Sequence, residues 1–366
     1  MNIAFFHDHR FRFDGTTYYS TGGLDERTLL KYIGKDDVLT VYARVVPFDN
    51  SNLSPIKDPR IQIFPQKEES LADVVKHSDV CIIRMPSFVG IGAARRARKY
   101  KKKYLIEAVG SAWDALTNHG LAGKIIAPYM ELVMKREVKT APYVTYVTTE
   151  FLQREYPTKG RNIGVSDVVL PESNDDALKK RLDRIENGKG LVLGTIGSYE
   201  VRYKSQETVI KAMGILKKAG KNDIEYRLVG AGNSAYLMGV AELEGVADQV
   251  KFLGTVKHEE INNFFDEIDI YIQPSLLEGL CRSIVEAFNR ACPAIASNVG
   301  GNPELVGKDY LFSHKGNPEK QLAGILSKMD KNRLKAAAKE NFDKSKLYQK
   351  NYLYKKWKDF YDEFVR

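Results

Sequence analysis

The sequence predicts an α/β protein built from two parallel-sheet domains, and three observations carry that expectation. The chain has 366 residues, room for two full cores at roughly 150 residues per domain. Short apolar runs rich in β-branched and aromatic residues alternate with longer helix-like patterns, as βα units around a parallel sheet require. The alternation also comes in two series, parted by a polar stretch.

The first series runs through IAFF from Ile3, VLTVY from Val38, IQIF from Ile61, VCII from Val80, YLIE from Tyr104 and VTYVT from Val144. The second begins with LVLGTIG from Leu191 and continues with YRLVG from Tyr226, VKFLG from Val250, IDIYIQ from Ile268 and PAIAS from Pro293. Between them, residues 158–190 hold one apolar patch, then PESNDD and a charged segment ending NGKG, a composition suited to a link. The predicted domains are 1–168 and 169–345, with 346–366 as a terminal helix. Beyond Lys331 nothing reads as strand, so the chain should be helical to its end with a break near Asp343 to Ser345. There Tyr348, Tyr352, Leu353, Trp357, Phe360, Tyr361 and Phe364 fall mostly three and four residues apart, a stripe that needs a surface to pack on.

Composition removes several classes. Hydrophobic residues make up 43% and charged residues 28%, which excludes a disordered chain and a collagen-like fibre. No run of 18 apolar residues occurs, and MNIAFFHDHRFRF carries charge by residue 8, so a cytoplasmic protein is expected. The three cysteines, Cys81, Cys281 and Cys292, form no C-x-x-C pair and read as buried thiols. Net charge is +9, and seven cations crowd one segment: Arg95, Arg96, Arg98, Lys99, Lys101, Lys102 and Lys103. Such a cluster suits a solvated helix face, an anionic membrane surface or nucleic acid, and charge alone does not choose.

The segment QPSLLEGLCRSIVEAFNRACPAIAS, residues 273–297, follows a strand, turns at Pro274 and Ser275 and enters a helix. A loop at a strand's carboxyl end followed by a helix amino terminus offers unpaired N–H groups that favour phosphate. Gly279 lets the backbone come close, while Glu278 and Glu286 set two carboxylates at different depths, able to accept from sugar and ribose hydroxyls. A nucleotide-sugar fits that layout. In GTIGSYEVRYKSQETVIKAM, residues 194–213, a strand ends at Gly197, and Arg202 and Lys204 sit before a helix beginning near Ser205. Cations there are disfavoured by the helix dipole, so an anionic ligand is the competing account to plain solvation. Gly22 and Gly23 open the first helix as a phosphate loop or an ordinary turn, and His119 is a ligand-contacting or a surface histidine. LVGAGNSAYL places Gly230, Gly232 and Ala235 at dinucleotide-fingerprint spacing, so an NAD-dependent enzyme is one alternative, the other being a turn lining a nucleotide site. No His, Cys or Asp cluster has metal-ligand spacing, and no metal is expected.

Together these segments resemble the group 1 glycosyltransferases, the retaining family-4 enzymes of GT-B architecture, over nearly the whole chain and most densely from Gly194 to Glu304. The resemblance rests on the E-x7-E pattern of Glu278 and Glu286 and on PAIASNVGGNPELV with Gly300, Gly301 and Glu304. It implies two Rossmann-like domains facing across a cleft, with the terminal helix returning to the first. It further implies a UDP- or GDP-sugar donor, Glu278 at the sugar, Glu286 at the ribose, and Arg202 and Lys204 at the diphosphate. Backbone amides near Leu280 and Cys281, with Ser283, Gly197 and Gly230, would complete the donor site. His119 would lie near sugar and acceptor, and Gly22 and Gly23 near the donor phosphates. Two positions depart from the pattern: Ser205 where many relatives have glycine, and Ser198 where arginine is frequent. The expected acceptor is a glycan or lipid-linked glycan at the inner membrane face, met through the cations from Arg95 to Lys103, with no nucleic-acid partner and no cofactor.

Overall fold

The computed structural model describes residues 1–20, 24–49, 53–66, 68–117, 120–257 and 260–366. It divides into two compact units, Met1–Asp167 together with Lys356–Arg366, and Val168–Lys355.

The first unit holds β1 (Asn2–Phe13), β2 (Tyr18–Ser20), β3 (Val38–Pro47), β4 (Ser54–Ile56), β5 (Ile61–Pro65), β6 (Val80–Met85), β7 (Lys103–Ala108), β8 (Tyr143–Tyr146) and β9 (Arg161–Gly164). Strands β5, β3, β1, β6, β7, β8 and β9 pair in that order, all parallel. Successive side chains take opposite faces, so Ala4 and Phe6 join Cys81, Ile83 and Ile106 under the helices Phe88–Lys99 and Gly120–Thr140. Ile3 and Phe5 join Val80, Ile82 and Leu105 on the other face, against Leu29, Tyr32 and the terminal helix Lys350–Val365. Burial on both faces is why these strands read as unbroken apolar runs.

The aromatic stripe finds its surface on that second face. Trp357, Phe360, Tyr361 and Phe364 are buried, Trp357 stacks on Tyr361 at 4.6 Å, and the Tyr361 hydroxyl donates to the Tyr32 carbonyl at 2.7 Å. Tyr352 instead faces solvent, and Tyr348 packs in the second unit. The expected break falls later than 343–345: one helix runs Lys331–Ser345, a single 3-10 turn covers Lys346–Tyr348, and Lys350–Val365 follows.

Four strands, β2, β4, β9 and, in the second unit, Leu311–Phe312, escape the sequence reading because they are short and partly exposed. β2 pairs antiparallel with the far end of β1 and with β4, after β1 shifts register between Phe6 and Arg10. β9 lies inside the stretch read as a link, and so does a helix of the second unit, Asp175–Asn187. That helix looks polar in sequence, yet its Arg181 is buried and donates to the carbonyls of Phe265, Ile268 and Arg290.

The second unit is a parallel sheet of β10 (Leu191–Ile196), β11 (Ile224–Val229), β12 (Val250–Phe252), β13 (Ile270–Gln273), β14 (Ala294–Ser297) and β15 (Leu311–Phe312), in the order β12-β11-β10-β13-β14-β15.

The seven clustered cations divide into two groups. Arg95 and Arg98 hold the buried carboxylate of Glu137, Arg96 donates to the Gly92 carbonyl and Lys102 to the Ser78 carbonyl. Lys99, Lys101 and Lys103 are exposed.

Replacing Trp357 with alanine removes a large buried ring from the second face of the first sheet. The expected loss is about 3–5 kcal/mol of unfolding free energy, read by urea denaturation, whereas Tyr352→Ala, at a solvent-facing ring, should change it little.

Candidate active site

In the second sheet the chain builds outward from β10 to β11 and β12, then returns to place β13 on the other side. The carboxyl ends of β10 and β13 therefore flank a topological switch point, where open parallel sheets bind ligands. Lys204, in the 3-10 turn Arg202–Lys204 after β10, and Glu278, in the loop after β13, meet there with Nζ 2.7 Å from Oε1. Burial pulls the Lys204 pKa down, but the charge and hydrogen bond of Glu278 outweigh it and hold it above the usual lysine value.

Glu278 is oriented from beneath. The Gln273 amide donates to Glu278 Oε1 and to Ser275 Oγ, each at 2.7 Å, and its own oxygen accepts from the Tyr271 hydroxyl at 2.5 Å. Tyr271 and Gln273 are fully enclosed at 0% and 1% exposure, and burial pushes the tyrosine pKa far up, so the hydroxyl keeps its proton. Since Tyr271 donates to the amide oxygen, the amide nitrogen must face the carboxylate.

The loop carrying Glu278 is pinned by its neighbours. Leu276 N–H donates to the Tyr203 carbonyl at 2.7 Å, Gly301 N–H to Gly279 at 2.8 Å, and His314 Nε2–H to the Pro274 carbonyl at 2.9 Å. Ser297 Oγ donates to the Ser275 carbonyl, and Asn302 in turn to Ser297. Gly300 has φ +54°, and a Cβ there would stand 1.7 Å from the Glu278 carbonyl oxygen, so only glycine lets the two loops touch. Gly230 does the same for the β10 and β11 loops, where a Cβ would lie 2.0 Å from the Gly197 carbonyl oxygen. This close packing accounts for Gly230, the first glycine of the dinucleotide-like spacing, while Gly232 takes a left-handed φ of +103°.

The helix Arg282–Asn289 starts directly after Cys281, with no side-chain hydrogen bond at its cap. Leu280 and Ser283 flank that start, and Glu286 is half-buried one turn in. The Cys281 thiol is enclosed, and burial pushes its pKa well up, which leaves it inert. Arg202 is exposed and lies over the Tyr236 ring, 3.1 Å from guanidinium carbon to centroid. Ser205 adopts a left-handed φ of 52°, the conformation that suits glycine, and its hydroxyl bonds that of Thr208 at 2.9 Å. His119, Gly22 and Gly23 lie outside the described residues.

The first sheet has its own switch point, between β1 and β6. Buried Glu107 at the end of β7 accepts from Tyr32 at 2.7 Å and Lys31 at 3.2 Å and faces Arg84 at 3.8 Å; Arg84 also pairs with Asp167 at 3.2 Å. Burial first, then the Arg84 charge, pushes His7 down to about 4, so that imidazole is neutral at neutral pH. Its Nδ1 is buried without a partner among the described residues. None of these residues stands out in the sequence, and neither do Tyr271, Gln273, His314 or Tyr236, because only pairing of distant strands brings them together. Among the described residues no three His, Cys, Asp or Glu side chains converge as a metal site.

The family model for glycosyl transferases group 1 matches residues 179–345. Protein CapJ of Staphylococcus aureus is 36% identical over 334 residues, covering 86% of this chain and 83% of CapJ. The chain belongs to the group 1 glycosyltransferases. A second relative of this family, the capsular polysaccharide biosynthesis glycosyltransferase CapH of Staphylococcus aureus, is 30% identical over 111 residues, 29% of this chain and 30% of CapH. The fold is GT-B: the Anabaena protein HepE, solved in complex with UDP, superposes with TM-score 0.68 at 15% identity over 99% of this chain and 100% of HepE. In this group 1 glycosyltransferase the matched segment contains the whole Lys204–Glu278 site and the helix that follows it.

Gln273→Leu strips Glu278 of its buried donor and leaves the Tyr271 hydroxyl unpaired. The expected cost is about 1–3 kcal/mol, measured by urea denaturation. Gly300→Ala forces the Glu278 loop away and should cost about 1–3 kcal/mol as overpacking on the same measurement.

Proposed function

We propose that this glycosyltransferase moves a hexose-type sugar from a UDP- or GDP-sugar onto a hydroxyl of a glycan or lipid-linked glycan in cell-surface polysaccharide assembly, with retention and without a metal. The observation that carries the reading is the Lys204–Glu278 pair at the β10/β13 switch point, beside the amino terminus of Arg282–Asn289. A diphosphate arriving there meets the Lys204 ammonium, the helix N–H groups and the exposed Arg202 guanidinium, which together stabilise the charge that develops on the leaving group. Glu278, released from Lys204 but still held by Gln273, accepts hydrogen bonds from sugar hydroxyls. Its anchoring from below suits a positioning group better than a nucleophile, and so supports attack on the face from which the diphosphate departs.

The donor class draws support from HepE, whose solved complexes contain UDP and UDP-glucose, and the acceptor class from CapH, named for capsular polysaccharide biosynthesis. The cluster around His7, Arg84 and Glu107 lies at the carboxyl edge of the first sheet, where Arg84 and Glu107 are buried and paired and His7 is half-buried, so an acceptor glycan would meet it through His7. No helix among the described residues is long and apolar enough to cross a membrane. Residence at the inner membrane face would therefore depend on surface contacts, with the exposed Lys99, Lys101 and Lys103 contributing.

A thermal-shift panel of UDP, GDP and NAD tests the donor site: a rise with UDP or GDP is expected, and a rise with NAD alone would overturn the reading. Lys204→Ala and Glu278→Ala should each lower kcat/KM for transfer by about 100-fold or more while urea unfolding stays cooperative. Transfer rates should be unchanged by EDTA, and proton NMR of the product should show the donor's anomeric configuration.

A further inference from the structure

Strand β1 outruns the sheet it begins. Only Ile3–Phe6 pair with β6, yet the strand continues to Phe13. Past its register shift, the last four residues pair with Arg44–Pro47 of β3, and Arg12 and Phe13 pair with β2 as well. The far ends of β1 and β3, with β2 and β4, thus form a small sheet standing beyond the carboxyl edge at the β1/β6 switch point. Alternation gives it two unlike faces. On one, Phe11 is buried, and Tyr18, Val45 and Ile56 join it in the cluster of Leu24 and Leu29. The other carries Arg10, Arg12, Arg44 and Tyr19.

That second face holds charge that its own acids do not answer. Arg10 lies directly opposite Arg44 on the neighbouring strand, and like charges so placed destabilise a sheet. Arg44 reaches Asp8 through one nitrogen at 3.5 Å, while the other Asp8 oxygen accepts from the Phe88 N–H at 2.5 Å. Arg12 takes Asp49 at 3.1 Å. Asp14 is turned into the bend between β1 and β2, where the Thr16 and Thr17 N–H groups and the Tyr19 hydroxyl hold it. Arg10 is exposed and has no partner among the described residues. Beside the arginines, Tyr19 packs on Phe48 with ring centroids 4.7 Å apart, and both rings are half-exposed. An anion between Arg10 and Arg44 converts their repulsion into a shared contact, and the rings suit the apolar faces of sugars.

We infer that the face of Arg10, Arg12 and Arg44 binds carboxylate-bearing sugar residues of the acceptor glycan and sets a preference for an acidic acceptor. The inference rests on the proposed transfer to a glycan and adds the charge class of that glycan. None of the paired residues in the small sheet is lysine. A guanidinium fork matches a planar carboxylate with two parallel hydrogen bonds, which an ammonium does not. Arg10 and Arg12, two residues apart on one strand, stand roughly 7 Å apart at the backbone. One extended polyuronate can therefore offer a separate carboxylate to each, which a single phosphate group cannot.

The test is calorimetric titration of the full chain with hexagalacturonate and with its carboxyl-reduced, neutral counterpart. No donor is present, so failure of this binding and failure of transfer are read separately. Hexagalacturonate should bind at least tenfold more tightly than the neutral hexamer. Arg10→Gln combined with Arg44→Gln should weaken hexagalacturonate at least tenfold, leave the neutral hexamer as it was, and leave the thermal shift given by UDP unchanged. Without ligand, the urea midpoint of Arg10→Gln should equal or exceed the parent's, because the substitution relieves a like-charge pair. A lower midpoint would show that Arg10 serves the fold and would overturn the inference. So would equal affinity for the charged and neutral hexamers, or hexagalacturonate binding unchanged in the double variant. Displacement of hexagalacturonate by inorganic pyrophosphate at a lower concentration than by hexagalacturonate itself would mark a phosphate site and overturn it as well.

Discussion

A partly buried carboxylate has to be compensated, and the second unit is organised around compensating Glu278. Its charge cannot sit at the edge of an apolar sheet without donors, because an unpaired buried charge costs several kcal/mol. Lys204 supplies the counter-charge from β10, and Gln273 supplies a neutral donor from β13. The two donors differ in what a ligand does to them. Lys204 reaches in from a short turn at the protein surface and can transfer its charge to an incoming phosphate. Gln273 is enclosed and locked by Tyr271, so Glu278 keeps one fixed hydrogen bond when its ion pair opens.

Backbone contact makes this arrangement rigid. The Glu278 loop lies so near Gly300 that a methyl group could not be inserted, and Gly230 meets Gly197 in the same manner. Glycines here act by absence of bulk, bringing the loops after four neighbouring strands, β11, β10, β13 and β14, into close contact. Ser205 shows the cost of departing from that rule. It keeps a left-handed backbone, and its hydroxyl contact with Thr208 offsets part of the strain.

The first unit repeats the electrostatic logic with different residues. Glu107 is buried at the carboxyl edge and is answered by Lys31, Tyr32 and Arg84. Arg95 and Arg98 answer Glu137 in the same way between two helices. A run of cations in sequence therefore does not equal a run of free charge in space, because buried acids claim part of it. Arg10 and Arg44 show the reverse, two cations far apart in sequence that strand pairing sets directly opposite each other.

The sequence by itself determined the two parallel sheets, the terminal aromatic helix and the two segments that carry Lys204 and Glu278, since hydrophobic periodicity and loop chemistry are local properties. It also indicated the glycines, although not their purpose. Four short strands and the helix Asp175–Asn187 were hidden, the strands because two to four partly exposed residues leave no periodic signal and the helix because its buried Arg181 reads as surface. Tertiary structure decided that Lys204 pairs with Glu278 across 74 residues, that Tyr271 and Gln273 stand beneath them, and that Arg202 rests on Tyr236. Those contacts join strands and loops far apart in the chain, and their energy depends on burial and distance, which a linear order of residues does not contain.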